Sequence, residues 1–321
     1  MRRVLLSGAT GFVGANLARR LLADGHEVHL LVRPGFASWR IDSISDAARL
    51  HTADLQDADA TRETVRAVRP DWIFHLAVHG AYASQTDVLE IMRTSLIGTV
   101  NLVEAALAVG VEAFIHTGSS SEYGFQPSAP SEDHRLDPNS SYAVAKAAAT
   151  MYCQHVSRRS DAHVATLRLY SVYGPFEEPT RLLPTVIARG LAGTLPPLVN
   201  PDIARDFVYV DDVIDACLAV AARPDLPRGS VYNVGSGIQT TIREVVAIAK
   251  AEFGIAEEPR WGSMPDRRWD TTVWLADPRR IEQEVGWKAA TSFAAGFRRM
   301  ADWLRDDRRM RELYASSIRL L

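Results

Sequence analysis

Short apolar runs alternate with helically spaced ones along the first half of the chain. VLLS at 4–7 is an apolar run, and the pattern from 13 to 24 repeats at helical spacing. EVHLLV at 27–32 and RLHTAD at 49–54 predict two more strands, followed by a helix over 57–68 and a strand in WIFHLA at 72–77. A helical stretch at 88–109 leads to AFIHTG at 113–118, and a helix over 141–158 leads to HVATLRLY at 163–170. Short runs rich in β-branched and aromatic residues, separated by helical periods, predict an α/β protein with a parallel sheet and crossover helices. Such crossovers cover both faces, so the strands are expected to be buried on both sides.

After Tyr170 the rhythm changes. GPFEEPTRLLP and GTLPPLVNPDIARD are rich in Pro, Gly and charge and read as loops, while SVYNVG at 230–235 reads as a further strand of the sheet. The expected division is a sheet domain over 1–170, with a returning strand near 230–235, and a smaller interleaved part over 171–321.

Composition narrows the class. The 321 residues are 47% apolar and 23% charged, with a net charge of −3. That is enough material for a core and carries no basic excess for nucleic acid. The only cysteines, Cys153 and Cys217, lack metal-ligand spacing and are expected to be small core residues. No metal is expected. The opening MRRVLLSGATGFVG breaks at glycines before it reaches signal-peptide length, and no apolar stretch reads as membrane-spanning. The expectation is a cytoplasmic protein with no membrane partner.

GATGFVG places Gly8, Gly11 and Gly14 after a predicted strand and at the start of a predicted helix, with Phe12 and Val13 also expected to contact the cofactor. Glycines there allow a tight turn and close approach of backbone to a pyrophosphate, which a helix N-terminus attracts. The spacing predicts a Rossmann-type, doubly wound sheet with a dinucleotide cofactor. Strand two ends in Arg33, where NAD binders usually carry an acid, and Arg40 follows. A guanidinium suits a 2′-phosphate, which favours NADP over NAD. Alternatively Arg33 stacks on the adenine or faces solvent. Asp54 is expected at the adenine edge beside Leu55, with Leu76, Ala77 and Val78 passing beneath the ribose and nicotinamide.

YAVAK puts Tyr142 and Lys146 four apart on one helix face. An ammonium beside a phenol is expected to lower the phenol's pKa. A tyrosine so tuned can exchange a proton with a sugar hydroxyl while a hydride moves.

Together GATGFVG, GSSSEYG, YAVAK, LRLYSVYGP, RDFVYVDDV, YNVGSG and the GW at 286–287 resemble the extended short-chain dehydrogenases/reductases, specifically the nucleotide-sugar epimerase, dehydratase and reductase group. The resemblance covers nearly the whole chain. It implies that Ser119, four residues before Tyr123, binds the reacting oxygen beside Tyr142. In the dehydratases the next two positions are an acid pair. Here they are Ser120 and Ser121, neither of which acts as an acid or base at neutral pH. Glu122 stands one position late, so its side chain is expected to turn to the other face and play a supporting role.

The resemblance further implies that Arg205 pairs with the substrate diphosphate, with Arg267 or Arg268 as a second contact and Arg181 near the nucleotide. Ser171 and Ser95 stand where relatives carry asparagine, shortening two polar contacts. His79 and Tyr82 follow strand four and face either the sugar or only their own loop, and Asp211 and Asp212 are expected to cap a helix. The leading expectation is NADP(H)-dependent reduction of a nucleotide-linked 4-keto-6-deoxyhexose at C4. The alternative is an NAD-dependent nucleotide-sugar 4-epimerase. A dehydratase or a non-catalytic dinucleotide sensor ranks below both. Relatives suggest a homodimer through the helices near 90–108 and 141–158.

Overall fold

A computed structural model describes residues 1–82, 84–264 and 271–318. Its strands are β1 (Arg3–Ser7), β2 (Glu27–Val32), β3 (Arg49–Thr52), β4 (Trp72–His75), β5 (Ala113–Ser119), β6 (His163–Leu169), β7 (Ser171–Tyr173), β8 (Ala204–Tyr209), β9 (Val231–Val234) and β10 (Gln239–Thr241). Its helices are α1 (Phe12–Ala23), α2 (Ala58–Val68), α3 (Val88–Met92), α4 (Gly98–Val109), α5 (Ser141–Arg159), α6 (Leu182–Leu191), α7 (Val210–Ala221), α8 (Ile242–Phe253), α9 (Arg279–Val285), α10 (Phe293–Asp306) and α11 (Arg308–Ile318).

The main sheet runs β3-β2-β1-β4-β5-β6-β9, all parallel. Strand order reverses direction at β1, so a crevice opens beyond the carboxyl ends of β1 and β4. Val4, Leu6, Leu30, Phe74 and Ile115 pack on one face with residues of α1 and α7. Leu5, Ile73 and Phe114 pack on the other with residues of α2, α4 and α5. The central strands are therefore covered on both sides as the pattern predicts. β3 departs from it, because as the sheet edge it leaves Arg49, Leu50 and Thr52 exposed.

A second sheet, β10-β8-β7, was hidden by the Pro- and Gly-rich composition around it. It packs with α6, α8, α10 and α11 around Tyr173, Phe297 and Tyr314. The chain after Tyr170 thus serves both layers, since α7 and β9 return to the main sheet.

The predicted helix at 88–109 is one continuous helix, Val88–Val109, long and apolar enough by length and composition to cross a membrane. The expectation that no stretch reaches that length therefore needs correction. The acids and Arg93 scattered through it had disguised its apolarity. Its Leu102, Val103, Ala105 and Ala106 pack into the core under the sheet. Between α3 and α4 the hydrogen bonding widens into a π-turn, Arg93–Ile97. Cys153 and Cys217 are buried free thiols, as expected.

Buried histidines make the fold acid-sensitive. Burial lowers His29, His51, His116 and His163 below the ordinary value of 6.5, and His75 to about 3. Their contribution to stability is fully present above pH 6.5, the unfolded value, and is lost as pH falls below it. Glu177, pushed up to about 8 by burial, works in the opposite direction, as do Glu132, Asp206 and Asp211, which burial also raises, but the five histidines are expected to dominate. The urea midpoint should fall between pH 7.5 and pH 5.5, read by circular dichroism, and a flat or rising midpoint would contradict this.

Candidate active site

The glycine loop is built by close backbone contact. Gly8 has φ +78°, and a Cβ there would lie 2.5 Å from the Ala77 nitrogen. A Cβ on Gly14 would lie 2.2 Å from the Gly8 carbonyl oxygen. Gly11 donates to that same oxygen at 3.0 Å and precedes α1. No side chain caps α1, and no acid stands in its first turn. Phe12 and Val13 open this helix and pack on the core. The N-terminal amides of α1 are left unclaimed by side chains, which fits the pyrophosphate of a dinucleotide.

A buried chain of hydrogen bonds joins this loop to the loop after β4. Thr99 donates to the Ser95 carbonyl at 2.8 Å, so it accepts from His75 Nε2, also at 2.8 Å. His75 Nδ1 then accepts from Ser7 at 2.6 Å. The neutral tautomer follows from the donors, and burial keeps the ring uncharged. Ser95 Oγ accepts from the His79 amide and donates to the His79 carbonyl. Ser95 therefore provides a working backbone clasp. It also accounts for His79, whose backbone is held in the loop. Leu76 hydrogen-bonds the Ser7 carbonyl, and Ala77 and Val78 continue past the glycines.

At the end of β2, Arg33 is exposed. Arg40 is buried and engaged by Glu178 at 3.0 Å, the Phe176 carbonyl at 2.8 Å and the face of Trp39. It therefore braces the loop after β7, which leaves the exposed Arg33 as the guanidinium that the sequence offers to a cofactor phosphate. Asp54 accepts from the Gln56 amide at 2.9 Å, and the buried Leu55 packs beside Gly98.

Ser119 ends β5, and Tyr142 is the second residue of α5. The Ser119 hydroxyl lies near enough to the Tyr142 phenol to favour its ionised form, and Ser119 and Ser121 share a hydrogen bond of 2.7 Å between their hydroxyls. Lys146 is buried and donates to the Thr117 carbonyl at 2.6 Å. The lowered phenol expected from Lys146 is not what this arrangement gives. Desolvation and the Glu122 charge raise Tyr142, while the nearby Ser119 hydroxyl and Arg181 pull the other way. Lys146 is itself lowered to about 8 by burial, with Glu122 opposing. The ammonium is turned to a carbonyl, and burial of the phenol dominates.

Ser120 accepts from Trp274 Nε1 at 3.1 Å. Arg205 lies over the Trp274 ring, 5.6 Å from its centroid, and donates to the Ala204 carbonyl at 2.7 Å. Trp274 was not foreseen, since nothing in its local sequence marks it. Ser171 begins β7 and is partly exposed. Arg181 donates to the Ala81 carbonyl at 3.0 Å and sits over Tyr82. It reaches Tyr142 electrostatically, which places it at the site's mouth. Arg267 and Arg268 lie outside the described residues. Asp212 is not a cap. Its carboxylate accepts from the Thr291 amide at 3.0 Å, tying α7 to the C-terminal segment, and Tyr209 occupies the capping position.

The chain belongs to the NAD dependent epimerase/dehydratase family, whose model matches residues 4–235. It is 33% identical over 316 residues to a UDP-glucose 4-epimerase of Mycolicibacterium smegmatis, covering 95% of this chain and 99% of that one. It is 29% identical to a dTDP-glucose 4,6-dehydratase of Streptomyces griseus, covering 94% and 93%. Among solved structures, a UDP-glucose 4-epimerase of Thermus thermophilus in complex with NAD superimposes with a TM-score of 0.83 at 27% identity, covering 95% of this chain and 99% of that one. Proteins of this group are enzymes that act on nucleotide sugars.

Gly14→Ala would press its methyl into the Gly8 carbonyl. The expected result is a loss of about 1–3 kcal/mol of stability and loss of retained dinucleotide. Denaturation and cofactor release assays on the purified variant check both.

Proposed function

We propose that the protein is an NAD-dependent nucleotide-sugar 4-epimerase acting on the UDP-glucose/UDP-galactose pair. The observation that carries this reading is the grouping of Ser119, Tyr142 and Lys146 at the end of β5, with no outward carboxylate at positions 120 and 121. Elimination of water needs such a carboxylate, and Glu122, the nearest acid, is turned into the core. Nearly full-length similarity to UDP-glucose 4-epimerases supports the epimerase over the ketoreductase expected from the sequence. NAD rather than NADP is supported by the NAD-bound relative.

A bound nicotinamide supplies reversible hydride acceptance. Tyr142, in its phenolate form, would take the proton of the sugar 4-hydroxyl as C4 is oxidised to a ketone. Ser119 holds that oxygen. The proton returns from Tyr142 when C4 is reduced on its opposite face, so the reaction is redox-neutral. Lys146 supplies a positive charge beneath the site, and Arg205 the charge for the diphosphate.

A homodimer is supported by exposed apolar positions on adjoining helices. Val88, Leu89 and Ile97 line one, and Val144 and Met151 the other. The proposed occupant of this face is a second copy of the chain.

Denaturing the purified protein should release NAD, and the protein should interconvert UDP-galactose and UDP-glucose without added cofactor. Release of NADP, or turnover only with NADPH and a 4-keto sugar, would restore the reductase reading. Tyr142→Phe should lower turnover by roughly 10²–10⁴-fold while NAD stays bound. Leu89→Asp combined with Met151→Asp should give a monomer by light scattering, and an unchanged mass would remove this interface.

A further inference from the structure

We propose that Glu122 is a positioning residue, a single carboxylate that fixes the Ser119 backbone against the helix carrying Tyr142 and Lys146. Its Oε1 accepts from the Ser119 amide at 2.8 Å and from the Thr150 hydroxyl at 3.1 Å. Thr150 follows Lys146 by four residues and Tyr142 by eight, one and two turns along the same stripe of α5. Its Oε2 accepts from Arg168 Nε on β6 at 2.8 Å. Three elements thus converge on one charge: the end of β5, the helix of the Tyr–Lys pair, and β6.

The site is shaped for a carboxylate. Every bond Glu122 makes here is an accepted one, and its side chain is fully buried. An amide would turn hydrogens toward at least one of the three donors. Room for Oε1 exists because residue 118 is glycine, where a Cβ would lie 2.6 Å from it. Arg168 is satisfied in turn by the Tyr123 hydroxyl at 2.7 Å and the Glu132 carbonyl at 3.2 Å. The buried pair therefore leaves no charge uncompensated.

The same charge acts on both candidate proton-handling groups. It favours the Lys146 ammonium, which also faces Cys153, His75 and His116. It opposes the Tyr142 phenolate, which also faces Arg181 and Tyr82. Arg168, Tyr123 and Cys153 face Glu122 itself. The inference rests on the epimerase reading only for the roles of Ser119, Tyr142 and Lys146.

The test uses two variants of the protein as purified with its cofactor. Glu122→Gln removes the charge, and Thr150→Val removes only the tether to α5. Tyr142 ionisation is followed by tyrosinate absorbance, each protein being read against the same protein carrying Tyr142→Phe. This needs no substrate and stands even if the epimerase reading fails. The midpoint should move to lower pH in Glu122→Gln and stay in place in Thr150→Val. With UDP-galactose as substrate, kcat should fall about 10–100-fold in both variants with KM nearly unchanged. An unmoved Tyr142 midpoint in folded Glu122→Gln overturns the electrostatic part. Unchanged kcat in Thr150→Val overturns the positioning part. If Glu122→Gln does not fold, Thr150→Val decides the positioning role alone.

Discussion

A carboxylate sealed from water has to satisfy both of its oxygens from the protein, and Glu122 does so with Ser119, Thr150 and Arg168. That requirement fixes more than one side chain. Arg168 carries the network to Tyr123, whose hydroxyl donates to Asn233 at 2.8 Å, and the Asn233 amide donates to Glu132 at 2.8 Å. The end of β5 is thereby tied to β6, to β9 and to the loop before α5. A buried ion pair of this kind adds little to stability beyond what a well-packed apolar replacement would give. What it contributes is geometry, because a hydrogen-bonded charge tolerates only a narrow set of positions for its donors.

On the cofactor side, geometry comes from crowding. The Gly8 carbonyl sits where a side chain at 14 would otherwise stand and leaves little room for one at 11, so the loop closes tightly onto α1. His75 then links Ser7 just before that loop to Thr99 and, through Ser95, to His79. The two loops that flank the crevice share one buried hydrogen-bonded chain. They should hold their spacing together, since a shift in either would leave polar atoms buried without partners.

Most of this framework was legible in the sequence because it is local. The glycine spacing, the Tyr142–Lys146 interval and the alternation of strands and helices each depend on residues close along the chain. Glu122's inward turn was also readable, since a single step at a strand end changes the face a side chain meets. Arg168 offered a signal that was passed over, namely a cation inside an otherwise apolar strand. Thr150 offered another, at helical spacing from Lys146. Two other features were not readable. The engagement of Arg40 by Glu178 joins residues 138 apart, and the Trp274–Ser120 bond joins residues 154 apart. The small sheet escaped because β7 and β10 are three residues each and lie among turn-forming residues. The Tyr142 environment was misjudged for a different reason. Spacing on a helix shows which groups are near, whereas solvent exclusion around a phenol depends on everything packed over it.

The π-turn at Arg93–Ile97 has a consequence for how this helix evolves. Such a turn holds one residue more than an α-helical turn of the same rise, and one residue corresponds to a rotation of about 100°. The wide turn absorbs that extra residue, so deleting a single residue here would let the helix run on regularly while α3 and α4 kept nearly the same faces. Val88 and Leu89 would stay exposed, whereas the turn that presents the Ser95 hydroxyl to His79 would be reshaped. One codon can therefore alter the inner crevice while leaving the outer apolar surface in place.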